Sequence, residues 1–419
     1  MSSRRMRLAL AAGLASLTTG TAMVACGGRT AGGAAGGGGG SPLDAASDAG
    51  TSGALDASVD ARTTSDGSLD AFADALPDVH AGAIVLPCGA AAGVQPGSPW
   101  PMAGRCPQRN AHTDAIGSTA PSGVRTLGDG GLSGDFVIAA DGTVYSFAGP
   151  DLVAIGPDGG TRWSTPVPTD PGVQRPSYIP PGTTVMWLAI GADGTVYAWD
   201  GDLTAFTPAG AIAWSLDITS YPARPQYECL KLDLDPAGNV LVADTPPDAG
   251  STLHAVAPSG TTAWEKTLPT GTTIVSSPTV GIDGAIYFIV VDATGAFSLQ
   301  ALDSSGNETW NTPLGTGDSA GFLDFPPVVS EDGTVIAFYV GQETTTGFRA
   351  FTPDGGVLSS SSGPQGVLSV TPVAGSDRIY VTAGGQGITA FSTAGATLWT
   401  SSPWNPSDPT LVVDGTGNL

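Results

Sequence analysis

Three recurring features predict an all-β fold, a β-propeller of four-stranded antiparallel blades. From about residue 120 onward, an Asp-Gly turn opens a β-branched strand, a Leu-x-Ala strand follows it, and a Trp follows that. A period of about 40–50 residues with four short strands in each copy is the signature of propeller blades.

The turn comes first. Asp141-Gly142-Thr143-Val144-Tyr145 recurs as Asp193-Gly194-Thr195-Val196-Tyr197, as Asp283-Gly284-Ala285-Ile286-Tyr287 and as Asp332-Gly333-Thr334-Val335-Ile336. Looser copies are Gly238-Asn239-Val240-Leu241, Asp377-Arg378-Ile379-Tyr380 and Asp414-Gly415-Thr416-Gly417-Asn418-Leu419. Gly takes positive φ without a steric penalty, so Asp-Gly suits a tight hairpin. A strand rich in Pro and Val precedes the turn, as in Ser277-Pro278-Thr279-Val280 and Thr371-Pro372-Val373.

The next strand reads Leu152-Val153-Ala154-Ile155, Leu203-Thr204-Ala205-Phe206, Leu253-His254-Ala255-Val256, Leu299-Gln300-Ala301-Leu302, Phe348-Arg349-Ala350-Phe351 and Ile388-Thr389-Ala390-Phe391. Its alternation is that of a strand with one inward face. The constant Ala predicts close approach of a neighbouring sheet. After a Gly turn comes Trp163, Trp214, Trp264, Trp310 or Trp399, with Leu358 read as the fifth copy. A Trp repeated at equivalent positions is expected to wedge between blades, not to line a ligand site.

Six full repeats span 133–167, 184–217, 228–268, 277–315, 325–361 and 369–402. A seventh begins at Pro409-Thr410-Leu411-Val412-Val413, and Val124-Arg125-Thr126-Leu127 is a candidate for its outermost strand. The expectation is a propeller over 123–419 with about seven blades, the last incomplete, or part of a larger one.

Only 13% of the residues are charged, yet the net charge is −23, and Lys occurs only at Lys231 and Lys266. Such a chain has no electrostatic footprint for nucleic acid or for anionic lipid. Residues 1–26 read as an export signal, with Arg4, Arg5 and Arg7 before an apolar stretch too weak for a firm membrane span. The stretch ends in Met23-Val24-Ala25-Cys26, which resembles the bacterial lipobox; Met23 departs from the usual Leu. That resemblance implies a lipid on Cys26, and Gly27 after it implies passage to the outer membrane. Ser3 to Leu8 faintly resembles a twin-arginine signal.

Residues 27–83 are Gly-, Ala- and Asp-rich and cannot build a core. They predict a solvated acidic tether of roughly 40 Å end to end. Its Asp66, Asp70, Asp74 and Asp78 lack the Gly and Glu of a calcium loop. Residues 84–122 form a lead-in in which Cys88 and Cys106 predict a disulfide, one that contributes roughly 3 kcal/mol if unstrained. Cys229 sits in an alternating segment and reads as a buried thiol. No Cys has an adjacent His and acid, so neither nucleophilic nor zinc chemistry is expected.

The unit Asp-Gly-Thr-Val-Tyr, then Leu-x-Ala, then Gly, then Trp resembles the PQQ-like (quinoprotein-type) β-propeller repeat over about residues 98–419. Trp100-Pro101-Met102-Ala103-Gly104-Arg105-Cys106-Pro107-Gln108-Arg109-Asn110 resembles the lead-in to the first blade of such proteins. The resemblance implies one of two classes. Quinoprotein dehydrogenases hold PQQ and calcium on the propeller axis, beneath a vicinal Cys-Cys pair. Non-enzymatic propellers include the lipoprotein scaffold of the outer-membrane β-barrel assembly machine. No adjacent Cys pair occurs in this chain, and Glu331-Asp332 lies on an ordinary turn. The expectation is therefore a non-catalytic, lipid-anchored module at the outer membrane, without cofactor or metal, that binds a protein or polysaccharide of the envelope. The alternatives are a degenerate PQQ-dependent oxidoreductase and a surface adhesin or sensor.

Overall fold

The computed structural model describes residues 91–109, 111, 132–168, 187–199, 202–218, 230–246, 249–316, 326–340, 345–365, 373–374, 378–383 and 387–401. These form six antiparallel sheets, in five of which each strand pairs with the next in sequence. Blade 1 holds β1 (Leu132–Ile138), β2 (Val144–Ala148), β3 (Asp151–Ile155) and β4 (Thr161–Pro166). Blade 2 holds β5 (Trp187–Ile190), β6 (Val196–Trp199), β7 (Asp202–Phe206) and β8 (Ile212–Asp217). Blade 3 holds β9 (Asp233–Leu234), β10 (Val240–Asp244), β11 (Thr252–Val256) and β12 (Thr262–Thr267). Blade 4 adds a fifth strand: β13 (Thr273–Ile274) and β14 (Thr279–Val280) both pair with β15 (Ile286–Val291), followed by β16 (Ala296–Leu302) and β17 (Glu308–Thr316). Blade 5 holds β18 (Val328–Val329), β19 (Val335–Val340), β20 (Thr345–Phe351) and β21 (Val357–Gln365). Blade 6 holds β22 (Val373–Ala374), β23 (Arg378–Ala383), β24 (Gly387–Ser392) and β25 (Thr397–Thr400). The first strands of neighbouring blades touch, β1 with β5, β9 with β14, β14 with β18 and β18 with β22, so they line the axis. The expected seventh repeat and its partner strand at 124–127 lie outside the described residues, as do Cys26, Cys88 and Cys229.

Each Asp-Gly turn is fixed by its own carboxylate. Asp141, Asp193, Asp283 and Asp332 accept the amide of the residue two further on, at 2.9–3.1 Å. The following Gly stands at positive φ, between +79° and +87°.

The apolar core is a series of inter-blade layers. Between blades 1 and 2, for example, Phe147, Leu152 and Ala154 meet Leu188, Ile190 and Phe206. At the outer end of each layer one device recurs. The indoles of Trp163, Trp214, Trp264 and Trp310 donate to the carbonyls of Pro208, Pro258, Ser304 and Pro353 in the next blade, at 2.8–3.1 Å. The rings lie flat on Gly210, Gly260, Gly306 and Gly355, where an added Cβ would come within 2.6–2.8 Å. Within its own blade the indole leans on the Tyr of the Asp-Gly motif: Tyr145 on Trp163, Tyr197 on Trp214 and Tyr287 on Trp310, at 5.6–5.9 Å. The constant Ala stands directly opposite the Trp across the β3–β4 type pair, as Ala154 does to Trp163.

The register corrects the reading of the fifth copy. Ser359, not Leu358, stands opposite Ala350 and so occupies the Trp position. Its hydroxyl donates to Thr393 at 2.8 Å, the same turn position that accepts an indole elsewhere. Leu358 points the other way and is 54% exposed, as the period of two along a strand requires. In the same layer Phe348 lies tilted against Phe338 at 6.1 Å and edge-on to Phe391 at 5.2 Å.

Candidate functional site

The first strand of a propeller blade leaves one edge unpaired toward the axis, and bare edges invite pairing. Here the lead-in takes that role. Ile138 of β1 donates to Trp100, and Ile190 of β5 donates to Pro101, both at 2.8 Å. Val280 of β14 donates to Pro107 at 2.9 Å, and Val329 of β18 donates to Gln108 at 3.0 Å. Gly93 abuts blade 3 so closely that a Cβ would lie 1.9 Å from the Asp235 carbonyl oxygen. Ala111 packs with Tyr380 and Ala390 of blade 6. Residues 93–109 and 111 therefore lie along the first strands and touch all six described blades.

The plug is polar and buried, and its Gln108 amide nitrogen and Arg109 guanidinium are engaged, while the Gln108 Oε1 and Arg105 Nε atoms have no hydrogen-bond partner. Gln108 Nε2 donates to Val280 and Gly281 at 3.0 and 3.2 Å. Arg109 donates from Nε to Pro278 at 2.9 Å and from Nη2 to Leu232 at 2.8 Å. It stands 3.5 Å from Asp233 Oδ2, with both side chains at most 3% exposed. Burial pushes the Asp233 carboxyl up, and the guanidinium opposes that shift. Arg105, Arg109 and Ala111 have φ of +68°, +52° and +48°. Left-handed backbone at non-glycine residues persists only where the surroundings over-determine it. Here the channel wall does so.

The lead-in pairs near the Asp-Gly turns, at the far ends of the first strands. At the opposite end a second group of charges collects. In β1 the register slips between Ser133 and Val137. The bulge turns Asp135 toward blade 2, where its carboxylate accepts the Leu188 amide at 3.4 Å. Lys231 of blade 3 holds its ammonium 4.8 Å from the centre of the Trp187 ring. Burial lifts the Asp135 carboxyl to about 6, while Lys231, the amides of Leu188 and Phe136, and Arg109 pull it down. The Trp187 indole N–H is buried and has no acceptor. Of an acidic chain's few cations, Arg105, Arg109 and Lys231 thus converge on the channel.

The residues singled out from sequence fall elsewhere. Trp163, Trp214, Trp264, Trp310 and Trp399 sit at blade seams. Cys106 is buried in the plug, on a turn where Arg105 donates to Met102 and Cys106 to Gly104, both at 2.9 Å; its expected partner Cys88 lies outside the described residues. Sequence reasoning passed over Asp135, Lys231, Asp233 and Arg109. The available signals were the rarity of Lys and an Arg inside an otherwise weakly charged lead-in. Among the described residues no three His, Cys, Asp or Glu side chains are grouped to hold a metal ion, and no helix is long and apolar enough to cross a membrane.

A protein family described as outer membrane protein assembly factor BamB matches residues 199–346, from the end of β6 into blade 5. No curated protein matches the chain. Among solved structures, the quinohemoprotein alcohol dehydrogenase of Comamonas testosteroni is similar with a TM-score of 0.51, at 14% identity over 78% of this chain and 72% of its own. BamB of Moraxella catarrhalis is similar with a TM-score of 0.48, at 16% identity over 68% of this chain and 83% of its own. At such identities the dehydrogenase likeness speaks for the propeller fold alone. The family match covers residues 199–346, about a third of the chain, and the same register recurs in the described blades on both sides of it.

Proposed function

We propose that this chain is a non-catalytic binding module, held at the outer membrane through a lipid on Cys26 and presenting its propeller to a protein of the envelope. The observation that carries this reading is the plug. A flat quinone and its metal on the axis would need room that Met102, Gln108 and Arg109 fill at the turn end, with Met102 wholly buried. The Gln108 and Arg109 side chains bond to blades 3 and 4, so their displacement would break buried hydrogen bonds and strip the buried Asp233 carboxyl of its guanidinium partner. The family match favours a protein partner over a polysaccharide, since the matching family is described as an assembly factor.

Cross-linking in intact cells followed by mass spectrometry tests this reading on the full chain and on Cys26→Ala. The expected result is one or a few envelope proteins recovered in constant proportion with the native chain. With Cys26→Ala, the protein moves from the membrane to the soluble fraction. Recovery of no partner, together with dye-linked oxidation of alcohols or sugars on adding PQQ and calcium, would support the oxidoreductase reading instead.

A further inference from the structure

The lead-in has two arms, and each holds a different part of the ring. The first arm runs from Gly93 to Met102. It bridges to blade 2 where Val94 meets Gly191 and Met102 meets Ala189, and to blade 1 where Trp100 meets Ile138. Gln95 donates to the Ile190 carbonyl at 3.0 Å, Ala192 donates to the Gly93 carbonyl at 2.9 Å, and the Ser98 hydroxyl donates to the Ile138 carbonyl. The second arm holds blades 3 to 6. Arg109 bonds to Leu232 and Pro278, and the Gln108 amide to Val280 and Gly281. The carbonyls of Pro107 and Gln108 receive the amides of Val280 and Val329. Ala111 packs on Tyr380 and Ala390.

A closed turn joins the arms. The Gly104 carbonyl accepts the amides of Cys106 at 2.9 Å and Ala111 at 3.1 Å, and the Arg109 amide donates to Cys106 at 2.7 Å. The Arg105 amide donates to Met102 at 2.9 Å, which ties the turn to the last residue of the first arm. Gly104 has φ +74°, and an added Cβ there would lie 3.0 Å from the Arg109 Cα, so the turn is packed against itself. Met102 and Cys106 are wholly buried. The turn also carries the left-handed Arg105, Arg109 and Ala111. Such backbone is disfavoured in a free chain and persists only where its surroundings impose it. An arm that leaves the ring removes part of what imposes the turn, and the turn is what aims the other arm.

We propose that the lead-in is a strap that docks and releases as one unit, and that it couples blades 1 and 2 to blades 4 and 5 across the axis. A two-state element touched by both halves of the ring carries such coupling. Loosening either arm loosens both, as linkage requires. In the binding module proposed above, a partner that disturbs the strap at blade 1 is then felt at blade 5. That consequence rests on the binding-module reading; the strap itself does not.

Hydrogen exchange under native conditions tests the strap on the full chain freed of its export signal, with no partner added. Four amides report: Ile138 and Ile190 donate to the first arm, Val280 and Val329 to the second. Gln108→Ala removes two bonds of the second arm, and Ser98→Ala removes one of the first. Ser359→Ala, which loses a seam bond on an outer strand, is the control. Gln108→Ala speeds exchange at all four amides by a common factor of about tenfold, and Ser98→Ala by a common factor of about fivefold. Ser359→Ala leaves all four within about twofold of the native chain. Faster exchange confined to Val280 and Val329 in Gln108→Ala, or to Ile138 and Ile190 in Ser98→Ala, would overturn the proposal, since the arms would then be independent. Unchanged exchange at all four in both variants would overturn it as well. So would an equal rise at all four in Ser359→Ala, because release would then be no more than global unfolding. If Gln108→Ala does not fold, Ser98→Ala decides from the opposite arm. Failure to capture a partner while the four amides still move together would remove the binding-module reading and leave the strap standing.

Discussion

Gly306→Ala probes the seam device against a built-in control. Gly306 has φ +82°, and an added Cβ would sit 2.6 Å from Cε3 of Trp264. Gly395 has almost the same backbone, φ +87°, but its added Cβ meets nothing closer than the Ser360 carbonyl oxygen at 3.4 Å, because Ser359 stands where the other seams have Trp. The backbone cost of Ala at positive φ is common to both, about 1–2 kcal/mol. Only Gly306→Ala must also push the indole aside. That forfeits the 3.1 Å bond from Trp264 to Ser304, a net loss of about 1 kcal/mol, and strains the packing by about 1–2 kcal/mol more. Gly306→Ala should therefore cost about 2–3 kcal/mol more than Gly395→Ala, or roughly 4–8 °C in melting temperature. Thermal melting followed by circular dichroism at one scan rate reads the difference. In a Trp264→Ala background the gap should vanish. Equal shifts for the two glycines would refute the view that the indole–glycine contact holds the blades together.

Three further predictions concern the channel and the odd seam. Asp135 has its folded pKa raised to about 6 from 3.8, so its neutral form is the one the fold favours. The stability it carries is complete below about pH 3.8 and is lost as pH rises to about 6. Asp135→Asn should accordingly add about 1–3 kcal/mol at pH 7.5 and almost nothing at pH 4, measured as urea midpoints; an equal gain at both pH values would contradict the assignment. Arg109→Met should cost about 3–5 kcal/mol by removing the guanidinium partner of the buried Asp233 carboxyl, and Asp233→Asn in the same chain should restore part of it, which a double-mutant cycle would show. Ser359→Ala should cost about 1 kcal/mol for its hydrogen bond to Thr393, whereas Leu358→Ser should leave the melting temperature within a degree or so.

The repeat was legible because its turn chemistry is local. Asp141-Gly142 and its copies fix a hairpin by one carboxylate and one positive φ, whatever surrounds them. The strand Leu-x-Ala was legible for the same reason, and its Ala has a plain cause: it lies under the indole across the pair. The slip from Ser359 to Leu358 has a physical source as well. A one-residue error in a strand turns the side chain to the other face, and Leu resembles Trp in hydropathy while Ser shares only its ability to donate. The channel was not legible, because Arg109, Asp233, Lys231 and Asp135 lie up to 124 residues apart in the chain. They meet only because the first strands of several blades share an axis. The sequence pattern marks strands and turns but does not say what fills the space between first strands, and in this chain the filler is a non-repeating segment.

The claim that the axis belongs to the chain's own lead-in is tested most directly by melting the purified full chain, freed of its export signal, across a titration of PQQ with calcium. A ligand that binds only the native state raises the melting temperature with its concentration. With the channel filled by the lead-in residues 93–109, the midpoint should stay constant and the protein should take up no quinone absorbance after desalting. A midpoint that climbs with PQQ and saturates, with quinone retained in equal amount, would contradict the account.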